Sequence, residues 1–329
     1  MITFETMRNL APTHLPILAD LRYDGGGQSA TLAEFTAADA NLLRALYHAV
    51  SELCTTLKEL ASQRSPHPFT ASDLKRRPER TTAMAAARAI GTDSQLSSHL
   101  APIVHDVRGG SLLALLASIE MLDPGAASSD AFLRIFCYAR DHLKIMRNGI
   151  SDIDPGANAH DREPSPHEIR LLREKWSGGV FSIDGKIKLV DFNSRFEGPI
   201  ANRCMEFSAL DRIIYNMMNN AARHGEGPDI SLTIFSPTEG VGQEVRFVVQ
   251  NNVTELQCAK ILGLVEGDLG RLFLGGLTTG GTGLGLQICA DFVVRAFGLK
   301  SCERAIAEGY VGARLIDNAF VVWFHWPRV

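Results

Sequence analysis

The chain has 329 residues, of which 45% are hydrophobic and 21% charged, with a formal net charge of -4. Length allows two domains with room for a third, and the balance is that of a globular protein, not of a disordered chain or a basic one that seeks nucleic acid or an anionic membrane. The longest apolar stretches, such as Ser111 to Met121 and Phe320 to Trp326, stop short of the roughly 18 to 20 residues that cross a bilayer, and no basic-then-apolar signal opens the chain, so a cytoplasmic protein without membrane contact is expected.

From about Thr31 to Leu60, Phe35, Leu42, Leu43, Leu46, Val50, Leu53, Leu57 and Leu60 recur at helical spacing, which predicts a long amphipathic helix. The segment from Ser62 to Arg80 is rich in Ser, Pro, Lys and Arg and reads as a linker or loop. Its run Lys75-Arg76-Arg77-Pro78-Glu79-Arg80 could meet a phosphate-bearing partner, although a solvated loop is the plainer reading. A second helical pair begins near Ser97. From His105 to Leu122 it is apolar almost all round, with Leu112, Leu113, Leu115, Leu116, Ile119 and Leu122, so several neighbours must bury it. Asp123-Pro124-Gly125 ends it, and Ser128-Ser129-Asp130 offers caps for the next helix. There Phe132, Phe136, Ala139, Leu143, Met146 and Ile150 step by fours and threes, a heptad seam. A lone hairpin with such a seam exposes too much apolar surface, and two hairpins pairing as a four-helix bundle bury it, which implies a homodimer.

The stretch Ser151 to Pro166, polar with three prolines and a glycine, reads as a hinge. Beyond it, short alternating strands (Lys186 to Asp191, Ile230 to Phe235, Val245 to Gln250, Val311 to Ile316, Ala319 to Trp326) mix with helices around Ser208 to Arg223 and Gly283 to Phe297. That texture predicts an α+β layer domain with a mixed or antiparallel sheet. The six cysteines (Cys54, Cys137, Cys204, Cys258, Cys289, Cys302) form no CxxC pair and the ten histidines no ligand pair, so the thiols read as reduced and structural.

Three segments carry chemistry. Gly280-Gly281-Thr282-Gly283-Leu284-Gly285-Leu286, after Thr278-Thr279 and before the helical Gln287-Ile288-Cys289-Ala290, lets the backbone approach a polyphosphate and opens a helix whose amides point at it. A plain flexible loop is the competing reading, since the irregular stretch Leu262 to Leu277 precedes it and no Rossmann strand does. In Asp211 to His224, helical spacing puts Asn216, Asn220 and Arg223 or His224 on one face while Ile213, Ile214, Met217 and Met218 face the sheet. Amide oxygens suit magnesium and Arg or His suits phosphate, against the alternative of a solvated polar face. In Val104-His105-Asp106-Val107-Arg108-Gly109-Gly110, an imidazole stands beside a carboxylate that can orient it or take its proton. The glycine pair costs about 1 kcal/mol per residue of helix propensity and predicts a kink. His99 and His142 are rivals without that neighbourhood.

Asn216-Met217-Met218-Asn219-Asn220-Ala221 resembles the asparagine box of histidine kinases, Asn-Leu-Leu-x-Asn-Ala. Val249-Gln250-Asn251-Asn252-Val253 stands for the first glycine box and Gly281 to Leu286 for the second, in the family's order across Ser165 to Val329. The resemblance implies a GHKL-type fold that binds ATP with Mg2+: Asn220 on the metal, Arg223 and His224 toward the phosphates, Asn251 on the adenine amino group, and Thr279, Gly281, Gly283, Leu284 and Gly285 around the polyphosphate. Departures are Asn251 where an aspartate is usual, Val253 where a glycine is, and no cation before the second glycine box. His105-Asp106-x-Arg108 is similar to the family's phospho-acceptor motif, with Gly109-Gly110 in place of Asn-Pro. Superfamily members that hydrolyse ATP or phosphorylate serine carry a base four residues before the metal-binding asparagine. Here that position is Asn216, an amide that takes no proton, which favours transfer to a histidine.

The expected architecture is multidomain α and α+β: residues 1–95 helical with a sensory or partner role, 96–153 a dimerising hairpin that carries His105, and 165–329 an α/β sandwich of the GHKL type. The expected function is ATP-dependent autophosphorylation of His105, with Asp106 and Asn216 completing the catalytic set, then transfer to the receiver-domain aspartate of a response regulator. The alternatives are a phosphotransfer or scaffold protein with a degenerate nucleotide fold, and a nucleotide-binding regulator without phosphate chemistry.

Overall fold

The computed structural model describes residues 2–25, 29–62, 71–92, 95–123, 128–183, 186–238, 243–277 and 282–329. The chain divides into two compact units, Gly25–Glu163 and a second made of Met1–Asp24 together with Pro164–Val329. The division thus falls after residue 24 and again after 163, whereas the sequence places domains at 1–95, 96–153 and 165–329. The first two dozen residues, among them the short helix α1 (Phe4–Arg8), belong to the C-terminal unit because their apolar side chains and carbonyls are used there.

The helical unit contains α2 (Ala37–Ala61), α3 (Ala71–Lys75), α4 (Pro78–Ala89), α5 (Leu100–Arg108), α6 (Gly110–Met121), α7 (Ser129–Gly149) and α8 (Pro155–Asp161). Thr36 caps α2 by accepting the Asp39 N–H at 3.1 Å, and Leu43, Leu46, Val50, Leu53 and Leu57 form its buried stripe. That stripe packs on α7 and α4. Phe132, Ala139, Leu143, Met146 and Ile150 of the seam are consequently buried within one chain, and Phe136 is half-buried. Each buried Phe, Leu, Met or Ile among them contributes about 1.5–3 kcal/mol. A second copy is therefore not needed to cover the seam, since α2 already does so.

Two segments read as linkers are ordered. Residues 71–80 supply α3 and the start of α4, where Pro78 occupies the first turn that suits its fixed φ; residues 63–70 lie outside the described residues. The expected hinge supplies α8 instead. Asp154 caps α8 by accepting the Ala157 N–H at 3.0 Å and also accepts the Tyr47 hydroxyl at 2.7 Å. Arg147 donates to Asp161 at 2.6 Å and to the Tyr47 oxygen at 3.1 Å, and Asn158 donates to the Arg147 carbonyl at 2.7 Å. The helix expected from His105 to Leu122 breaks at Gly109 (φ -109, ψ -150) and Gly110 (φ 48), the kink that the glycine pair predicts. Taken together α5 and α6, Leu100–Met121, are 22 residues long and apolar enough by composition to cross a bilayer, more than the shorter runs read from the sequence; half of that window is buried inside the chain.

The other unit adds β1 (Pro164–Glu168), α9 (Arg170–Trp176), β2 (Val180–Ile183), β3 (Lys186–Ser194), β4 (Pro199–Arg203), α10 (Cys204–His224), β5 (Glu226–Phe235), β6 (Glu244–Asn252), α11 (Glu255–Leu264), α12 (Gly285–Phe297), α13 (Cys302–Ala307), β7 (Val311–Ile316) and β8 (Ala319–Pro327). Six strands form one sheet in the order β2-β3-β5-β6-β8-β7, antiparallel except for β3 beside β5, while β1 pairs with β4. Helices α10 and α12 pack together and against the sheet. The mixed α/β layer therefore forms as expected, with β1, β2, β4, α9, α11 and α13 added to the elements read from the sequence, and the stretch Leu262 to Leu277 holds the end of α11 and a 3-10 turn at Leu269–Phe273.

Strand alternation splits the sheet into two apolar faces. Phe247 and Phe324 are paired across β6 and β8 and stack at 4.6 Å on one face. Val248, Val321, Trp323 and Phe235 on the other form a cluster with Met7 and Leu10 of the N-terminal arm. Arg246 lies on that second face, fully buried. Its guanidinium donates to His325 Nε2 at 2.7 Å and to the carbonyls of Met7, Arg8, Ala11 and Pro12 at 2.5–2.9 Å. His325 Nδ1 sits 3.2 Å from the Tyr310 carbonyl, so its proton is on Nδ1 and Nε2 accepts. Burial and the Arg246 charge hold this imidazole neutral.

Candidate functional site

Helix α10 is the axis of the site. Its apolar side, with Ile213, Ile214, Met217 and Met218, is buried as the spacing predicts. Along the amide face exposure rises toward the C-terminus: Asn216 is buried, Asn220 and His224 are half-buried, and Arg223 is exposed. Burial, and then the charges of Arg223 and Lys260, push the His224 pKa down. His224 is therefore a neutral group at physiological pH, and Arg223 and Lys260 are charges close to it.

Asn251 stands against the end of α10. A side chain on Gly225 would meet the Asn251 amide nitrogen at 3.0 Å and the Ala221 carbonyl at 2.5 Å, so only glycine lets β6 come this close. Asn251 Nδ2 donates to the Asn252 carbonyl at 3.1 Å. With one N–H of the amide engaged on the main chain and fixing its orientation, its oxygen is the atom suited to an incoming N–H. Val253, where the resemblance suggests a glycine, is buried. Lys188 of β3, also buried, donates to the Gly225 carbonyl at 2.8 Å and to the Gly227 carbonyl, placing a cation at the C-terminal end of α10.

The third segment meets the same helix. Gly283 has φ 71, and a Cβ there would meet the Leu277 carbonyl at 3.0 Å. Leu284 precedes the first turn of α12, which begins at Gly285 with no side-chain cap, so its first amides receive no capping hydrogen bond. One turn on, Cys289 Sγ donates to the carbonyls of Gly285 at 3.1 Å and Ile213 at 3.6 Å, seating the start of α12 on α10. Thr279 and Gly281 lie outside the described residues.

His105 is on α5, in the helical unit. Its Nδ1 is 3.1 Å from Asp106 Oδ1, with the His105 side chain 20% and that of Asp106 4% exposed. An Nδ1–H donated to this carboxylate leaves Nε2 as the nucleophilic nitrogen. The rival His142 is fully buried, 3.1 Å from the Ser111 hydroxyl, and burial pushes its pKa down to about 3. That environment excludes it as an acceptor.

Two features escape a reading of the sequence. Asn219 Oδ1 is buried without a hydrogen-bond partner, an oxygen in want of a donor or cation about one turn after Asn216. An amide oxygen set of this kind fits magnesium, and no cluster of three or more His, Cys, Asp or Glu competes for a metal among the described residues. Lys188 was legible only as an inversion, a lysine facing in between Ile187 and Leu189, which are exposed.

Residues 206–327 match the family described as "Histidine kinase-, DNA gyrase B-, and HSP90-like ATPase". Among solved structures, the nucleotide-free catalytic domain of histidine kinase ThkA is 23% identical over 42% of this chain and 80% of its own, with a TM-score of 0.28. Full-length ShkA in complex with AMPPNP is 17% identical over 66% of this chain and 42% of its own, with a TM-score of 0.32. The histidine kinase domain of the blue-light activated histidine kinase of Erythrobacter litoralis EL346 is 12% identical over 84% of this chain and 93% of its own, with a TM-score of 0.29. Scores this low carry no weight for function, and no curated protein matches the chain. With the family match spanning the helix of asparagines, the strand of Asn251 and the glycine turn of Gly283, the stretch from 206 to 327 is an ATPase domain of the histidine kinase-, DNA gyrase B- and HSP90-like family.

Proposed function

We propose that this chain is an ATP-dependent protein-histidine kinase that phosphorylates His105 and hands the phosphoryl group to a receiver-domain aspartate of a response regulator. One observation carries the reading: three segments distant in sequence meet on α10, with Asn251 against Gly225, Cys289 against Ile213, and the asparagines between. Asn251 Oδ1 takes the adenine amino group, the amides opening α12 and Arg223 meet the phosphates, and Asn216, Asn219 and Asn220 are the residues whose amide oxygens would hold magnesium. Bound magnesium neutralises phosphate charge. His105 Nε2 attacks the γ-phosphorus as Asp106 holds the Nδ1 proton; a P–N bond forms, the bond to the bridging oxygen breaks, and ADP leaves. No side chain at position 216 can take a proton from water, so hydrolysis is unassisted. Two copies pair through the helical unit, over exposed Leu113 with half-buried Leu116 and Phe136, in the cytoplasm.

Incubation with γ-labelled ATP and Mg2+ is expected to label the wild type in an acid-labile bond and to leave His105→Ala unlabelled. No label on the wild type sinks the kinase reading. Asn251 and buried Val253 favour a second reading in that event, a phosphotransfer protein that takes phosphate on His105 from a phosphorylated receiver domain.

A further inference from the structure

The N-terminal arm touches every element that carries a nucleotide motif. On β6, Gln250, the neighbour of Asn251, accepts the Ile2 N–H at 3.1 Å. On α10, Glu206 receives Arg22 through Nε at 3.1 Å and Nη2 at 2.6 Å. The same guanidinium donates to the carbonyls of Ile200, Pro327 and Arg328 at 2.9–3.2 Å, tying α10 to β4 and β8. On α12, the Phe297 carbonyl accepts the Leu18 N–H at 2.8 Å, and the Tyr23 ring lies 6.5 Å from Phe292 and 6.2 Å from Trp326. Arg212 of α10, one turn before Asn216, covers the Phe292 ring at 4.4 Å. Tyr23, Phe292 and Arg212 thus form a chain of contacts between the helix that ends in the asparagines and the helix that begins at the glycine turn.

Closing the outer face of the sheet does not require these contacts, because Met7, Leu10 and the Arg246 cluster already cover it. Residues 18–24 instead grip the two helices behind their ligand-facing ends. Glu206 lies 14 residues before Asn220, about 21 Å along the helix, and Phe292 lies seven residues after Gly285, about 10 Å. Helices are stiff over such spans, so the separation of their far ends follows that of the near ones.

We infer that residues 18–24 are a positioning element for the nucleotide, fixing α10 against α12 so that docking of the arm and binding of Mg·ATP strengthen one another. This rests on the nucleotide site proposed above. Coupling between two such events is reciprocal, which supplies a readout that a purely structural arm would not move.

The test uses the full chain. Arg22→Gln and Tyr23→Ala are each expected to raise the Kd for Mg·ATP about fivefold. In the wild type, saturating Mg·ATP is expected to slow hydrogen exchange at the Leu18 amide by a similar factor. Val311→Ala, which opens a core cavity on the edge strand β7 of the same unit, is expected to leave Kd unchanged. Unaltered Kd in both arm variants, or exchange at Leu18 indifferent to nucleotide, overturns the proposal, as does equal weakening by Val311→Ala, which would make the arm's effect one of stability alone. A wild type that binds no Mg·ATP overturns the site itself and this proposal with it, and that outcome is seen before any variant is made.

Discussion

Arg246→Met removes five hydrogen bonds while keeping an unbranched chain beside Phe235, whose ring lies 5.7 Å from the guanidinium. His325 Nε2 and the Met7 carbonyl lose their donor in a buried place, and the carbonyls of Arg8, Ala11 and Pro12 lose theirs in a partly buried one. An unsatisfied buried acceptor costs about 1–3 kcal/mol, so the buried pair alone costs about 2–6 kcal/mol if the arm stays docked. That is a large share of the 5–15 kcal/mol, roughly, that holds a domain together. The less costly outcome is that the arm lifts and its carbonyls take water, leaving Phe235, Val248, Val321 and Trp323 exposed. At roughly 2–4 °C per kcal/mol for a unit of this size, the melting transition of the C-terminal unit is expected to fall by about 5–10 °C. Limited proteolysis is expected to cut within residues 2–16 at concentrations that leave the wild type whole. A variant whose arm stays resistant and whose transition moves by less than about 2 °C would falsify the idea that Arg246 fastens the arm.

Gly283→Ala places a Cβ at φ 71 within 3.0 Å of the Leu277 carbonyl, so titration calorimetry with Mg·ATP is expected to show about tenfold weaker binding; an unchanged Kd would remove the turn from the site. Lys175→Met leaves the buried Asp211 carboxylate without its ion-pair partner, an expected loss of about 3–5 kcal/mol in urea unfolding, and Lys175→Met with Asp211→Leu is expected to recover most of it. Failure of the double variant to recover would assign the pair a role beyond its own charge. His142 has its pKa lowered from 6.5 to about 3 by burial, so the unfolded chain binds the extra proton first. Stability from this group is complete above about pH 6.5 and drains as pH falls toward 3, by up to about 1.4 kcal/mol per pH unit. His142→Gln is expected to flatten that acid limb in urea melts from pH 6 to 4, and an equally steep limb in the variant would point to another group.

Much of the C-terminal fold was legible because alternation marks strands plainly: β7 begins and ends where the pattern does, and β5, β6 and β8 extend it by a few residues. The asparagine helix was legible for the same reason, its apolar side repeating at three and four residues. What failed was the fate of exposed-looking polar segments. Ser151 to Pro166 has a linker's composition, yet Asp154, Asn158 and Asp161 are used by Tyr47 and by the side chain and carbonyl of Arg147, partners about a hundred residues and about ten residues away that no local pattern reveals. The seam on α7 was read correctly as buried, while its packing against α2 of the same chain was not foreseen, because nothing in the heptad says which apolar stripe will meet it. In the site, Asn219 and Lys188 were missed because their significance is a matter of burial, an orphaned oxygen in one case and an inward ammonium in the other. His224 was legible as a member of the amide face of α10 but not as a neutral imidazole.

The arm also bears on how the molecule can be taken apart. Sequence motifs suggest a cassette that starts near residue 165 and could be moved between proteins as one piece, but the C-terminal unit is threaded from both ends of the chain. A fragment beginning at 165 would carry Arg246 with its guanidinium in an empty apolar trough, and it would present Val248, Val321 and Trp323 to any other chain that could cover them. Fusions and dissections of this protein should therefore carry residues 2–24 with the ATPase portion, supplied in trans as a peptide or joined to its C-terminal end by circular permutation.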